Sequence, residues 1–341
     1  MASRMRIRGG LSYRELSVLL FPLLGALSLP VPADEDQTPR QWLERMMEAV
    51  PRLSYQGTFV YLHDNQLETM RIVHAVEDDR VRESLVSLNG APREVMRDAE
   101  SVTCVIPESN QVSVDRRPPS DKFLNILPEE LAQLEDHYAF LALGKSRIAD
   151  HEARVVAIVP KDRLRYGYRF FLDADTGLPL KSDLLNERGK VVEQTMFTEL
   201  QVGVAEISDL YNRESLFTYQ LKNNAEVSGN IEVPDETQND DGGGWSFQRL
   251  PAGFKLTLKH RLPDPDGSEP IEQYVFSDGL GSLSVFVESG ENARRSLNGA
   301  SRLGAINAWG GPVGSFHVTA VGEVPAVTLL GVVQAMQSQK P

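Results

Sequence analysis

Between Tyr55 and Leu200 the apolar residues recur mainly with a period of two, in runs so short that turns must follow one another closely. Tyr55 to His63, Leu67 to Val76 and Val81 to Leu88 are separated by polar residues, and Asn89-Gly90 suits the positive backbone angles of a tight hairpin turn. Arg93 to Asp98, Ser101 to Ile106 and Gln111 to Val114 continue the series. A break follows at Arg116-Arg117-Pro118-Pro119, and then a short helix from Pro128 carrying Leu131 and Leu134. Strands resume at Tyr138 to Leu143, Ala153 to Val159, Tyr166 to Leu172, Leu178 to Leu185 and Val191 to Leu200, with Asp173-Ala174-Asp175-Thr176-Gly177 and Asn186-Glu187-Arg188-Gly189 turning between the last three. Connections this short join antiparallel neighbours, because a parallel pair needs a crossover of about a dozen residues. The expected class is α+β, predominantly antiparallel β, with a large and strongly curved sheet.

One helix precedes the strands. Thr38-Pro39-Arg40-Gln41 places a hydroxyl at the N-cap, proline at the first helical position and glutamine three residues after the cap. Trp42, Leu43, Met46, Met47 and Val50 then form one apolar face, and Pro51 kinks or ends the helix. Such a helix packs inside the curve of the sheet. Tyr55, Phe59 and Tyr61 share one strand face, and Tyr166, Tyr168 and Phe170 share another. These six rings either fill the core or line a groove for an acyl chain, and periodicity does not separate the two.

The pattern stops after Leu221. Residues 222–244 are rich in Asn, Asp, Glu and Gly, bury little, and read as an acidic flexible linker between residues 34–221 and 245–341. The second domain has strand candidates at Lys255 to Leu262, Ile271 to Ser277, Leu283 to Glu288, Ala305 to Ala308 and Ser315 to Gly322. Pro325 then opens a helix whose apolar face is Val327, Leu330, Val333 and Met336, covering a small antiparallel sheet. Arg294, Arg295 and Arg302 concentrate positive charge in a loop, which is either solvated or a contact for an acidic partner.

The formal charge of −13 is concentrated in the first domain, which argues against a nucleic-acid partner, since phosphate neutralisation needs a basic face. Arg4, Arg6, Arg8 and Arg14 precede an apolar stretch from Leu16 to Leu29 ending at Val31-Pro32-Ala33, which is the pattern of an export signal, residues 1–33, cleaved after Ala33. No other stretch is long and apolar enough to span a bilayer, so an integral membrane protein is not expected. Cys104 is the single cysteine, so no internal disulfide forms. Its setting in an apolar run fits a buried small hydrophobe.

Catalytic signatures fail on inspection. His151-Glu152-Ala153-Arg154-Val155 lacks the second histidine of a zinc-protease helix. Gly279-Leu280-Gly281 lacks the third glycine of a dinucleotide site. The six histidines have no paired local spacing. Neither an enzyme nor a cofactor or metal is expected.

Several longer blocks stand out beyond any single motif. Tyr55-Gln56-Gly57-Thr58-Phe59-Val60-Tyr61 is followed by Glu68-Thr69-Met70-Arg71-Ile72-Val73-His74. Arg165-Tyr166-Gly167-Tyr168-Arg169-Phe170-Phe171-Leu172-Asp173 runs into Thr176-Gly177-Leu178-Pro179-Leu180-Lys181-Ser182. Leu250-Pro251-Ala252-Gly253-Phe254 and the run from Phe276-Ser277-Asp278-Gly279-Leu280-Gly281 to Phe286 come later, and Val321-Gly322-Glu323-Val324-Pro325 lies near the end. Together these blocks resemble the MucB/RseB family, and the resemblance implies a periplasmic negative regulator of sigma-E (AlgU-type) envelope stress signalling. Such a protein binds the periplasmic segment of an RseA/MucA-type anti-sigma factor, shields it from a DegS-type protease, and releases it on binding lipid or lipopolysaccharide. It also implies that the large domain is a half-barrel like the LolA and LolB lipoprotein carriers. A periplasmic lipid or lipoprotein carrier is the alternative function, and a homo-oligomer stays open. The composition shift predicts that limited proteolysis of the mature chain cuts first within residues 222–244. A first cut inside residues 55–200 would contradict that boundary.

Overall fold

Thr38 caps helix α1 (Pro39–Arg52) with both halves of the expected capping box. Its hydroxyl accepts from the Gln41 amide at 3.3 Å, and the Gln41 side-chain oxygen accepts from the Thr38 amide at 2.8 Å. The helix ends one residue beyond Pro51, and Trp42, Leu43, Met46, Ala49 and Val50 form its buried face. The computed structural model describes residues 37–78, 80–99, 101–106, 111–115, 124, 126–203, 226–229, 244–262, 270–289 and 297–338, with only the backbone of 111–115 and 226–229. The expected leader at 1–33, most of residues 222–244, and Arg294 and Arg295 lie outside the described residues.

Among the described residues twelve strands make the large sheet. They are β1 (Tyr55–His63), β2 (Gln66–Glu77), β3 (Arg80–Ser87), β4 (Glu94–Arg97), β5 (Val102–Ile106), β6 (Gln111–Asp115), β7 (Tyr138–Ile148), β8 (His151–Pro160), β9 (Gly167–Asp173), β10 (Pro179–Leu185), β11 (Val191–Val202) and β12 (Glu226–Gly229). Their order is β12-β6-β5-β4-β3-β2-β1-β11-β10-β9-β8-β7, and consecutive strands pair antiparallel as the short turns require. β1 and β11, far apart in sequence, pair antiparallel at the centre, with Tyr55 opposite Val202 and His63 opposite Glu193. β12 is the exception to the antiparallel rule: it pairs parallel with β6, from inside the segment expected to be linker.

One face of this sheet carries the main core. Tyr55, Phe59, Met70, Ile72, Leu85, Ile158, Phe170 and Phe197 pack there with the buried face of α1 and with a short 3-10 turn, Leu131–Leu134. Leu131 and Leu134 are its buried residues; the turn starts three residues after the Pro128 expected to open a helix, and it is a single 3-10 turn.

The second sheet has order β14-β15-β16-β19-β18-β17. Its flanking strand β13 (Trp245–Phe247) precedes β14 (Lys255–Leu262), β15 (Ile271–Ser277), β16 (Ser282–Glu288), β17 (Gly299–Leu303), β18 (Ile306–Val313) and β19 (Phe316–Gly322). Helix α2 (Ala326–Gln334) covers it, and β20 (Met336–Ser338) pairs with β13. The helix is rotated from the expected orientation: Thr328, Leu329, Val332 and Val333 are buried, whereas Val327 is 54% and Leu330 37% exposed. On that side Leu329, Val332 and Val333 join the second core, and the Thr328 hydroxyl donates to the carbonyl of Leu164 in the first domain. Met336 belongs to β20 rather than to the helix. β17 is an addition to the expected strands, since its sequence, GASRL, is exposed throughout and shows no alternation.

The two sheets meet around Arg165, whose side chain is fully buried. Its guanidinium donates to Asp278 at 2.7 Å, to both carboxylate oxygens of Asp162 at 3.0 and 3.1 Å, and to the Ala252 carbonyl. It also lies over the rings of Tyr138 and Phe254. Asp278 is shared: one oxygen takes Arg165 and the Tyr138 hydroxyl, at 2.8 Å, and the other takes the amides of Leu280 and Gly281. Gly253, at φ +86°, passes so close that an added Cβ would lie 2.5 Å from His137. Removing Asp278 leaves two buried donors, the Arg165 Nη1 and the Tyr138 hydroxyl, without their acceptor while Asp162 still balances the charge, at a cost of about 1–3 kcal/mol for each donor. Asp278→Ala should therefore lower the unfolding free energy by about that amount, read from urea melts of the whole mature chain. A loss under about 1 kcal/mol would mean that solvent or another acid satisfies Arg165.

Candidate functional site

The core does not fill the whole inner face. From β1 toward β4, and across β11 to β9, the same face bounds a cavity of about 650 Å³. Alternation along the strands brings its lining together: Tyr61 and His63 from β1, Met70 from β2, Leu85 from β3, Val95 and Arg97 from β4, and Cys104 from β5. On the other flank stand Tyr168, Ser182, Leu184, Glu193 and Thr195, with Ile126 and the second domain's Glu323 completing the wall. The pairings Val95 to Cys104 and Leu184 to Tyr168 keep these side chains on one face.

The cavity is amphipathic. Met70, Leu85, Val95, Ile126, Tyr168 and Leu184 supply apolar surface. Among the charged groups, Glu68 is held by Arg93 at 3.1 Å and by His63 at 3.3 Å. Arg97 reaches Glu83 at 3.3 Å, and Glu83 also contacts His74 at 3.2 Å. Arg97 lines the cavity, and its Nε atom is buried without a hydrogen-bond partner among the described residues. The Tyr61 hydroxyl donates to Glu193 at 2.9 Å. Burial first, and then the negative charge of Glu193, push this hydroxyl well above the ordinary tyrosine range, so it stays protonated and remains a donor.

The six aromatic candidates divide. Tyr61 and Tyr168 line the cavity, and Tyr168 stacks on Phe170 with ring centroids 5.7 Å apart. Tyr55, Phe59 and Phe170 lie in the closed core, with Phe59 packed edge-on against Phe197. Tyr166 faces the second domain, where Asn307 donates to its hydroxyl at 2.8 Å and Ala305 packs beside it. A shared strand face therefore does not imply a shared site, because helix cover ends partway along the face. Cys104 departs from the expected burial: it is half-buried at the cavity wall, and desolvation raises its thiol pKa against the opposing pull of Arg93. Arg302 lies on exposed β17 and donates to the carbonyl of Gly304. Leu85, Val95, Leu184 and Glu323 carry no site signal in the sequence, since each is an ordinary strand or turn residue until the sheet assembles.

Among the described residues no group of three or more His, Cys, Asp or Glu side chains is placed to hold a metal ion. Likewise, none of their helices is long and apolar enough to cross a membrane.

Comparison with known proteins gives one consistent picture. The model of the MucB/RseB N-terminal domain matches residues 38–218, and that of the MucB/RseB C-terminal domain matches residues 239–337. The sigma factor AlgU regulatory protein MucB of Pseudomonas aeruginosa is 36% identical over 328 residues, spanning 92% of this chain and 95% of the relative. The sigma-E factor regulatory protein RseB of Haemophilus influenzae is 26% identical over 316 residues, spanning 92% and 96%. Among solved structures, MucB in the Pseudomonas aeruginosa MucA/MucB complex superposes with a TM-score of 0.68 at 31% identity, covering 89% of this chain and 99% of that one. A crystal structure of MucB gives 0.56 at the same identity, covering 88% and 98%. Matched through both of its domains and over nearly its whole length, the chain belongs to the MucB/RseB family.

Proposed function

We propose that this protein is a non-catalytic periplasmic regulator that binds the periplasmic segment of a MucA/RseA-type anti-sigma factor. In this role it shields the segment from regulated proteolysis and releases it when lipid or lipopolysaccharide enters the cavity. The observation that carries the reading is the match to MucB of the MucA/MucB complex, which covers 89% of this chain and 99% of that one at 31% identity. The large sheet is then a half-barrel of the LolA type, with α1 over one part of its inner face and the cavity over the other. Apolar side chains beside Arg93 and Arg97 suit an acyl chain attached to a phosphate or another anionic group. A carrier would need only the large sheet, whereas here Glu323 of the second domain forms part of the cavity wall, which favours the regulator.

The partner surface includes Arg302, exposed on β17, as a contact for an acidic stretch of the anti-sigma segment. Binding of the mature protein to the purified periplasmic segment of its MucA-type partner tests the reading directly. We expect binding that Arg302→Ala weakens while flattening its salt dependence. Absence of binding by the unaltered protein would overturn the function. An unchanged salt slope would remove Arg302 from the interface.

Tyr168→Asp should weaken binding of a single-chain lysophospholipid by the folded fraction about tenfold, and should lower the melt as well, because the ring also stacks on Phe170 against the core. Phe59→Ala, in the closed core, should instead cost about 3–5 kcal/mol of stability with little change in lipid affinity of the folded fraction. Equal lipid affinity in Tyr168→Asp and the unaltered protein would place the ligand elsewhere.

A further inference from the structure

Glu193 stands where the cavity and the second domain meet. One carboxylate oxygen accepts the Tyr61 hydroxyl at 2.9 Å, and the other accepts the backbone amide of Ala305 at 3.2 Å. Ala305 is fully buried between the β17 and β18 strands, against Tyr166 and Leu184 of the first domain. The turn sits close: a Cβ on Gly304 would lie 3.2 Å from the same Glu193 oxygen. Just beyond, Asn307 donates to both the Tyr166 hydroxyl and the Val324 carbonyl, each at 2.8 Å, and Val324 adjoins the cavity-lining Glu323. The chain of contacts therefore leaves the cavity at Tyr61, enters the second domain at Ala305 and returns to the cavity at Glu323.

A carboxylate is planar, so its two oxygens cannot be reoriented separately. Whatever turns the group to follow or lose the Tyr61 hydroxyl also swings the oxygen that holds Ala305. We propose that Glu193 is the coupling residue of the protein: an acyl chain that displaces the Tyr61 ring unseats the β17–β18 turn and so reports cavity occupancy to the second domain. This rests on the cavity being the amphiphile site, and it assigns the regulation of that site to one side chain. Coupling of this kind needs a ligand with different affinities for the seated and unseated arrangements, which a ring lying in the cavity wall provides.

Hydrogen exchange of the whole mature protein tests it, with palmitoyl lysophosphatidylglycerol below its micelle concentration as the probe. Saturating lipid should speed exchange in residues 299–308 at least fivefold. Tyr61→Phe keeps the ring but not the donor. It should show the fast exchange without lipid and no further response to it. Glu193→Gln should halve or abolish the factor by which lipid weakens binding of the anti-sigma segment, with a melt showing the fold retained. If lipid binds and exchange in 299–308 is unchanged, or if both variants respond like the unaltered protein, Glu193 is not the coupling residue. If lipid does not bind the unaltered protein at all, the cavity reading falls and the coupling falls with it.

Discussion

A fully buried guanidinium dictates how the two halves of this molecule fit. Arg165 belongs to the first domain, yet its closest carboxylate, Asp278, and its carbonyl acceptor, Ala252, come from the second. The cost of burying such a charge is large and is offset only when every donor finds a partner in good geometry. The first domain alone supplies Asp162 and the Tyr138 ring but leaves part of the fork unpaired. Three separate blocks, around Arg165, Leu250 to Phe254 and Phe276 to Gly281, therefore converge on one point of contact. Those blocks carry the family resemblance, and each has a distinct physical role at the contact. The first supplies the donor, the second the carbonyl on a tight glycine turn, and the third the aspartate that also caps its own hairpin.

With the domains joined there, the remainder of the inner face is divided by cover. Helix α1 and the 3-10 turn close the core over Tyr55, Phe59 and Phe170. Farther along, charged and apolar residues together line the cavity, and the second domain closes its end with Glu323. The same pleat thus yields a dry core at one place and an amphipathic hollow at another.

Much of this architecture is legible in the sequence. Period-two runs and hairpin turns predict nearly every strand from Tyr55 to Val202, and the Thr38 capping box places the start of the first helix to the residue. Long-range facts are not legible. The pairing of β1 with β11 depends on chain closure, and no local signal marks it. The orientation of α2 depends on what its buried side meets, the second core and the Leu164 carbonyl of the first domain, so apolar periodicity alone selects Val327 and Leu330, which are exposed. Strand β17 has no buried residue and hence no alternation to read. Strand alternation groups the aromatic rows by face, but only packing separates Tyr61 and Tyr168 from the rings that fill the core.

Scale decides whether a joint as small as Glu193 can matter. Allosteric coupling between two ligands typically amounts to about 1–3 kcal/mol, and a hydrogen bond to a charged group contributes about 1.5–3 kcal/mol. One or two such bonds at the seam are therefore comparable to the whole effect required. The Arg165 node is far too costly to open in each cycle of binding and release, so it serves better as the fixed pivot. Glu193, half-buried and shared between a cavity-wall ring and one backbone amide, sits at the other end of the seam where small differences in free energy can be expressed. A fixed end and a weak end are what a two-domain protein needs if a ligand in one domain is to alter the other without unfolding either.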